Sequence, residues 1–247
     1  LAWHLVPNLK RIGLRPEVWT RDVDVANQYE WQVPVTSIPK RISKQFKIEA
    51  IFLAVPDDHI ADVSRRLSPI INWDIPVIHN SGATAVNTIN EYFEIRSALW
   101  PIRSLKKGET TSAWKDVPLV YYSDTPAFEK KLAKWAKKIS NITYRLDDEQ
   151  RAKLHLAAAF SNNFTTRLCQ IAYELCDEAN VPFDALVPII KNTLSRIDGS
   201  EPALRQTGAA IRGDHKTMRR HEELLDGNKE YQELYRRMSE LIATGSK

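Results

Sequence analysis

The sequence has few cysteines, no long hydrophobic run and a small net charge for its length. Its 247 residues carry a formal charge of +4 and include two cysteines, Cys169 and Cys176. These are seven residues apart in a helical pattern, too far for an unstrained disulfide, so both are expected to be small core residues. No apolar run approaches the roughly 20 residues that cross a membrane. Basic and acidic residues are interspersed, which argues against a nucleic-acid partner.

Several familiar signals are also absent. No secretory or transit segment is recognisable, so a cytoplasmic protein is expected. No cluster of His, Cys, Asp or Glu has metal-ligand spacing, which argues against a zinc site. The Gly-x-Gly phosphate turn of a dinucleotide-binding sheet is not found in the sequence. A chain of this length has room for one large core or two modest ones, and two domains fit better.

The stretch 50–60 predicts one wall of a ligand cleft. Residues 50–55 are all apolar and do not alternate with polar ones, as in a central parallel strand that is covered on both faces. Pro56 ends this strand. Asp57 or Asp58 is then expected to cap a helix, because apolar residues recur after it at helical spacing.

A second strand-turn-helix unit follows. The short apolar strand 75–78 ends in His79-Asn80-Ser81-Gly82, and a helix is expected to begin at Ala83. Ligands of open parallel sheets bind outside the carboxyl ends of the strands. Val55, Pro56, His79 and Ser81 are therefore predicted to contact a cofactor. Alternatively, His79 and Asn80 only satisfy the backbone groups of the turn.

The first residues of the chain predict another part of a nucleotide-binding site. Residues 1–13 predict a helix and 17–20 a strand that ends at Arg21. In a Rossmann-type sheet this helix is the first one, so the first strand and its glycine-rich turn are expected directly before Leu1. Thr20 and Arg21 would then lie beside the adenosine ribose, where an arginine accommodates the extra phosphate of NADP. Alternatively, Arg21 is a solvated side chain whose charge Asp22 offsets.

The remaining pattern divides the chain into a sheet and a helical part. Further strands are predicted at 33–38, 96–102, 117–122 and 141–146, and a helix at 130–138. From Glu149 onwards the periodicity is helical, with one long spine helix that ends near Asn180. The predicted domains are therefore 1–148, a nucleotide-binding α/β domain, and 149–247, a helical domain for substrate and dimerisation.

Two stretches of the helical part contain candidate substrate-binding residues. His155 and Asn163 are eight residues apart, close to two helical turns, and Ala158 and Ala159 leave room for a ligand beside them. A lone helical histidine is more often structural, and small residues more often serve helix packing. In the stretch 207–214, two glycines flank Arg212 beside Asp214, an arrangement that suits charge-assisted hydrogen bonds to a ligand. Alternatively, Asp214 caps the next helix.

Four blocks together resemble a known family. They are His79-Asn80-Ser81-Gly82, Trp100-Pro101, His155 with 161–164, and Thr207-Gly208 with 212–214. The chain resembles the Rossmann-like NADP oxidoreductases that carry a helical domain of unknown function. These are similar to deazaflavin-dependent NADP oxidoreductases and, more distantly, to pyrroline-5-carboxylate reductases and 6-phosphogluconate dehydrogenases. The resemblance implies a mostly parallel α/β sheet, an all-helical C-terminal domain like that of 6-phosphogluconate dehydrogenase, and a homodimer formed through the helices.

The resemblance implies much less about the reaction than about the fold. The first hypothesis is an oxidoreductase that uses NADP to transfer a hydride to or from a small polar carbonyl or imine. His155 would be the proton donor, Asn163 and Ser81 would orient the substrate, and Arg212 would bind an anionic group, with Asp214 as a further substrate-binding candidate. The better-known dehydrogenases have a lysine on the spine helix where this chain has His155, so their reaction need not be the same. The alternative is a protein that senses NADP(H) without turnover.

Overall fold

The structure is a computed structural model that describes residues 1–27, 31–39, 47–105 and 114–245. Contacts divide the chain into two compact units, Leu1–Leu168 and Cys169–Lys247. All the strands of the described residues lie in the first unit, and the described part of the second unit is helical. Residues 149–168 group with the sheet by contacts, whereas the predicted domain boundary at 148/149 follows the last strand. That boundary stays a prediction.

The strands of the first unit form two sheets. The smaller sheet pairs two parallel strands, and the larger sheet has five strands in chain order, parallel except for one antiparallel pair between the third and fourth. The fold class predicted from the sequence, a mostly parallel α/β sheet followed by a helical region, is confirmed. The strands are β1 (Val18–Trp19), β2 (Val35–Thr36), β3 (Ile51–Leu53), β4 (Val77–His79), β5 (Arg96–Pro101), β6 (Leu119–Ser123) and β7 (Thr143–Arg145).

The central position predicted for the strand at 50–55 stays a prediction. Within the described residues β3 pairs only with β4. It is shorter than predicted, and of its three residues only Leu53 is buried. A run of apolar residues indicates burial in general, but it does not say whether a neighbouring strand or other side chains provide that burial.

Ten α-helices lie in the described residues. The first four belong to the sheet region, and the fifth and sixth make up the predicted spine helix, with a π-helical turn at Ala159–Phe164 between them. The helices are α1 (Ala2–Arg11), α2 (Val23–Asn27), α3 (Ile60–Leu67), α4 (Pro126–Ile139), α5 (Asp148–Ala158), α6 (Thr165–Glu178), α7 (Val187–Ser195), α8 (Ala209–Arg212), α9 (His215–Leu224) and α10 (Lys229–Thr244).

Helices pack on both faces of the larger sheet. Neighbouring residues of a strand point to opposite faces, and in β4 Val77 and Ile78 belong to two different core clusters. Ile78 packs in the cluster that contains the apolar residues of α1 and α4, while Val77 packs with those of α3. The side chains of α4 reach this core because its buried residues recur at helical spacing on one face, at 128, 132, 135, 136 and 139.

The helix predicted after β4 does not form. Between β4 and β5 the only helical element is a single 3-10 turn at Val86–Thr88. The hydroxyl of Ser81 accepts from the N–H groups of Ala83 and Thr84, as the N-cap of a helix does. The next turn does not follow, because the Asp148 carboxylate accepts from Val86 N–H, which a helix would pair with the carbonyl four residues earlier.

The helical unit has almost no interior of its own. Of its described residues, 169–245, only Ser239 is buried. The prediction that Cys169 and Cys176 are core residues is therefore wrong, because both are free thiols that remain partly exposed. None of the helices in the described part of the chain is long and apolar enough to cross a membrane.

Candidate functional site

The carboxyl ends of β3 and β4 lie level with each other at one edge of the sheet. The two strands are parallel, and Leu53 lies opposite His79 in the register. The turn that follows each strand therefore emerges at the same place. The Ser81 hydroxyl donates a hydrogen bond of 2.5 Å to the Asp57 carboxylate, which joins the two turns. The predicted meeting of these turns is thus observed.

Asp57 accepts this hydrogen bond from Ser81 instead of capping a helix. Pro56 is the N-cap of the 3-10 turn at Asp57–His59, and no side chain donates or accepts a capping hydrogen bond there. The N-cap of α3 is His59, again without a side-chain cap. The expectation that Asp57 or Asp58 caps the helix is therefore wrong. The carboxylate of Asp57 finds a stronger partner in the buried hydroxyl across the strand ends.

The hydroxyl of Ser81 is fully engaged by the protein. It accepts from Ala83 N–H at 3.1 Å and from Thr84 N–H at 2.9 Å, and it lies 2.9 Å from the Thr84 hydroxyl. Ser81 itself is buried. The side chain predicted to contact cofactor and substrate therefore shapes the turn, and its one proton goes to Asp57.

His79 is a neutral, buried residue. Its Nδ1 accepts a hydrogen bond of 3.1 Å from Ser81 N–H, so the remaining proton is on Nε2. Burial, and then the nearby positive charge of Arg151, lower the pKa of His79 to about 3. Asn80 is buried beside it and donates to the Leu99 carbonyl at 2.6 Å. Both side chains satisfy turn and strand groups, which is the structural alternative that the sequence left open.

Val55 and Pro56 complete the turn after β3. Pro56 is exposed and Val55 is partly exposed, so the backbone here faces solvent beside the joined turns. Val55 also packs against the core cluster that contains Leu53. The side chains of these two residues form an apolar edge at the carboxyl end of the sheet.

Gly82 lies directly beneath two aromatic rings. A methyl group at its Cα would come within 2.5 Å of His155 Cδ2 and within 2.6 Å of Trp100 Cε2, so no larger residue fits without movement. The rings of Trp100 and His155 are 5.4 Å apart between centroids and inclined at 60°. Trp100 is buried, whereas His155 is exposed. The imidazole therefore rests on Gly82 and Trp100 with its other side open to solvent.

The spine helix changes its winding just after His155. The π-helical turn at Ala159–Phe164 contains Asn163, whose side-chain oxygen accepts from Asn162 at 2.9 Å. The Asn162 amide also donates to the Ser104 hydroxyl, at 3.0 Å, in the segment after β5. In a regular α-helix, a side chain eight residues further on points about 80° beyond two full turns. The wider π-helical turn rotates the chain less per residue and removes most of this difference in direction. Asn163 therefore returns towards the face of His155.

The end of β1 presents a free arginine. Thr20 N–H donates to the Thr36 carbonyl at 3.0 Å, which holds the end of β1 to β2. Arg21 is exposed and makes no ion pair or hydrogen bond with the described residues. Asp22 does not offset its charge, because the Asp22 carboxylate accepts from Val25 N–H at 3.0 Å at the start of α2. The guanidinium of Arg21 is thus available to an anion.

Arg212 and Asp214 belong to the helical unit. Arg212 ends α8 and is exposed, and Gly213 follows in the left-handed conformation with φ of 64°. The Asp214 carboxylate accepts from the N–H of Thr217 at 3.1 Å and from its hydroxyl at 2.7 Å, and so caps α9. These hydrogen bonds hold the pKa of Asp214 below its usual value. Asp214 has the capping role that the sequence left as an alternative, and Arg212 remains exposed.

Sequence reasoning missed Arg151. This residue lies four positions before His155 on α5 and is fully buried, although it carries a charge. It donates hydrogen bonds to the Thr84 carbonyl and, at 2.7 Å, to Asp148. The spacing of four residues from His155, which places both on one helix face, is the signal that could have indicated it.

The described residues hold no group of three or more His, Cys, Asp or Glu side chains that could bind a metal ion.

The fold is thus a Rossmann-type α/β sheet with a helical C-terminal region. Residues 120–242 match a family model described as a domain of unknown function, DUF2520. No protein of curated function matches the sequence.

Several solved structures are similar over nearly the whole chain. One, from Bacteroides fragilis, is described as a "putative NADP oxidoreductase"; it is 26% identical, with 98% of this chain and 93% of that chain covered and a TM-score of 0.83. A protein from Thermotoga maritima is 19% identical over 98% and 96% of the two chains, with a TM-score of 0.70. Pyrroline carboxylate reductase of Plasmodium falciparum, solved with NADP bound, is 10% identical over 98% and 95%, with a TM-score of 0.55. At their low identities the last two show a shared fold alone.

Proposed function

We propose that the protein is an NADP-dependent oxidoreductase that transfers a hydride to or from a small polar carbonyl or imine. The observation that carries the proposal is the exposed His155, held on Gly82 and Trp100 next to the joined carboxyl ends of two parallel strands. Ligands of such sheets bind at these strand ends. The similarity over 98% of this chain to the Bacteroides fragilis protein described as a "putative NADP oxidoreductase" supports the same conclusion.

The residues at the strand ends fit a dinucleotide phosphate. The guanidinium of Arg21, which pairs with none of the described residues, and Thr20 beside it offer charge-assisted hydrogen bonds to the 2′-phosphate that distinguishes NADP from NAD. Val55 and Pro56 supply an apolar edge. The turn that contains His79 and Ser81 continues with Gly82, which has no Cβ. Bound NADPH supplies a hydride at this site.

The two sheets leave a place for one more parallel strand. Within the described residues β1 pairs only with β2 and β3 only with β4, so each sheet has an unpaired edge. Trp19 of β1 packs against the core cluster of β3 and β4, which brings the two sheets together. In the Rossmann order 3-2-1-4-5-6 the first strand lies at this place. We propose that this strand and its glycine-rich turn precede Leu1 in a nucleotide-binding domain that ends at residue 148.

His155 is the proposed catalytic acid. Hydride transfer to a carbonyl or imine needs a proton donor, and imidazole transfers protons near neutral pH. Asn163 orients the substrate from the same side of the spine helix. Ser81 acts indirectly, because its hydroxyl holds the turn on which His155 rests. Arg212, in the proposed helical domain 149–247, is assigned to an anionic group of the substrate, whereas Asp214, the other substrate-binding candidate of this stretch, caps α9.

A homodimer through the helical unit completes the proposal. Among the described residues 169–245, eleven large apolar side chains are exposed and only Ser239 is buried, so this part of the chain lacks a core. A segment of this size needs an apolar interior to be stable, and interfaces of permanent dimers resemble a core cut in half. A second copy of the same helices would cover these side chains, which are Tyr173, Leu175, Val181, Ile189, Leu194, Ile197, Leu204, Leu224, Leu234, Met238 and Leu241.

A turnover screen tests the function. The full-length protein is mixed with NADPH and a panel of small aldehydes, ketones, keto acids and cyclic imines, and the loss of NADPH absorbance is followed. Turnover with at least one of them that falls about 100-fold or more in His155→Ala supports the acid role. Unchanged turnover in that variant would remove His155 from the mechanism. Tight nucleotide binding without any turnover would favour the alternative, a protein that senses NADP(H).

A further inference from the structure

Arg151 is a buried cation that contacts the turn after β4. None of its surface is exposed, and its Nη2 donates both to the Thr84 carbonyl and to the Asp148 carboxylate. The other oxygen of Asp148 accepts from Val86 N–H at 3.0 Å. The ion pair therefore hydrogen-bonds to two backbone groups of the same turn, the carbonyl of Thr84 and the N–H of Val86.

The same turn also contacts the ring of His155. It begins at Ser81 and Gly82, and the His155 ring lies against Gly82. Arg151 and His155 are four residues apart on α5, so they share one helix face. The ion pair contacts the end of the turn, at Thr84 and Val86, and His155 contacts its beginning, at Gly82. Arg151 thus fixes how α5 sits on the turn.

A purely stabilising role does not explain this arrangement well. The Nε and Nη1 atoms of Arg151 are buried and have no hydrogen-bond partner among the described residues. Removing a cation from water costs free energy that one carboxylate and one carbonyl compensate only in part. Buried ion pairs are weak contributors to stability, but their fixed geometry suits the placement of neighbouring groups.

We propose that Arg151, together with Asp148, is a positioning residue that sets the contact of His155 with Gly82 and Trp100. This inference rests on the proposed function, in which that contact places the proton donor. Arg151 itself touches no substrate or cofactor in this account. Its charge also faces His79, which remains neutral and buried beside it.

The contact of His155 with Trp100 can be measured without nucleotide or substrate. A histidine ring quenches the fluorescence of an indole that it touches, so Trp100, whose ring lies 5.4 Å from that of His155, should emit more strongly in His155→Ala. The chain has seven tryptophans, and the part of the quench that His155→Ala removes is the signal of this contact. The test therefore stands even if the protein binds no NADP or turns over no carbonyl.

Three variants are compared by this signal. Arg151→Met should lose more than half of the His155-dependent quench, and Arg151→Lys should retain more of it because an ammonium can still reach the Thr84 carbonyl. Lys153→Met is the matched control and should keep the whole signal, since Lys153 is exposed and pairs only with Glu149. Unchanged quenching in Arg151→Met, or equal quenching in the Met and Lys variants, would overturn the proposal.

A folding failure is handled by a second variant. Circular dichroism first shows whether Arg151→Met is folded. If it is not, Arg151→Met is combined with Asp148→Asn, because the double variant removes both charges of the pair and leaves no buried charge without its partner. Reduced quenching in the folded double variant supports the proposal, and full quenching contradicts it.

Discussion

The hydroxyl of Ser81 donates a 2.5 Å hydrogen bond to the carboxylate of Asp57, and this bond joins the turns after β3 and β4. The same oxygen accepts from two backbone N–H groups of its own turn. One small buried side chain thus holds the carboxyl ends of two neighbouring strands together at the edge where ligands of this fold bind.

Ser81→Ala should therefore destabilise the protein. The substitution leaves two backbone donors and the carboxylate of Asp57 without their partner, a loss of about 1–3 kcal/mol in the free energy of unfolding. Urea denaturation followed by circular dichroism measures it. Ser68→Ala is the control, because the Ser68 hydroxyl only donates to the Arg65 carbonyl at an exposed site. Equal effects of the two substitutions would show that the Ser81 bonds are not needed.

Gly82→Ala should disrupt the support of His155. The added methyl would lie within 2.5 Å of the His155 ring and within 2.6 Å of Trp100, so one ring has to move. Overpacking of this kind costs about 1–3 kcal/mol, and the melting temperature should fall. Gly227→Ala is the matched control, since a methyl there meets no atom within 4 Å. A melting temperature of Gly82→Ala equal to that of the wild type would contradict the packing described.

His79 should make the protein less stable in acid. Its pKa is about 3 in the folded protein and 6.5 when free, so below about pH 6.5 the unfolded chain binds a proton that the folded chain does not. Stability therefore falls as the pH is lowered from about 6.5 towards 3, by up to about 1.4 kcal/mol per pH unit. The measurement is the free energy of unfolding against pH. His79→Asn, which keeps an acceptor for Ser81 N–H, should have a shallower slope, and an identical slope would contradict a buried neutral His79.

The proposed dimer should depend on the exposed apolar residues of the helical unit. Ile189→Asp places a charge on α7 at a side chain that is 61% exposed in the single chain, and it should shift a dimer towards monomer if a second copy covers it. Analytical ultracentrifugation measures the mass. Trp73→Ser, at a side chain of the first unit that is 50% exposed, should leave the mass unchanged. A monomeric wild type would contradict the proposed dimer.

The strands could be predicted because their apolar runs are short and bounded by turn residues. All seven predicted strands lie where the structure has them, including the parallel units at 50–55 and 75–78. The order of the strands could not be read in the same way. Whether β3 is a central strand depends on which chain segment lies beside it, and an apolar run gives no information about that.

The candidate site could be predicted only in part. The turns after β3 and β4 meet as predicted, because strand ends of parallel neighbours must lie together. The roles of single side chains depend on distances that the sequence does not contain. Ser81 is used by Asp57, His79 is buried and neutral, and Arg151 becomes apparent only from its contacts with Thr84 and Asp148.

The most direct test of the account is a titration of the full-length protein with NADPH and with NADH, followed by the quenching of tryptophan fluorescence. The account predicts that NADPH binds more tightly, and that Arg21→Ala weakens its binding about tenfold or more because a charge-assisted contact to phosphate is lost. Arg15→Ala, at another exposed arginine nearby, should bind NADPH as the wild type does. Equal affinity for the two nucleotides, or binding of neither, would contradict the account.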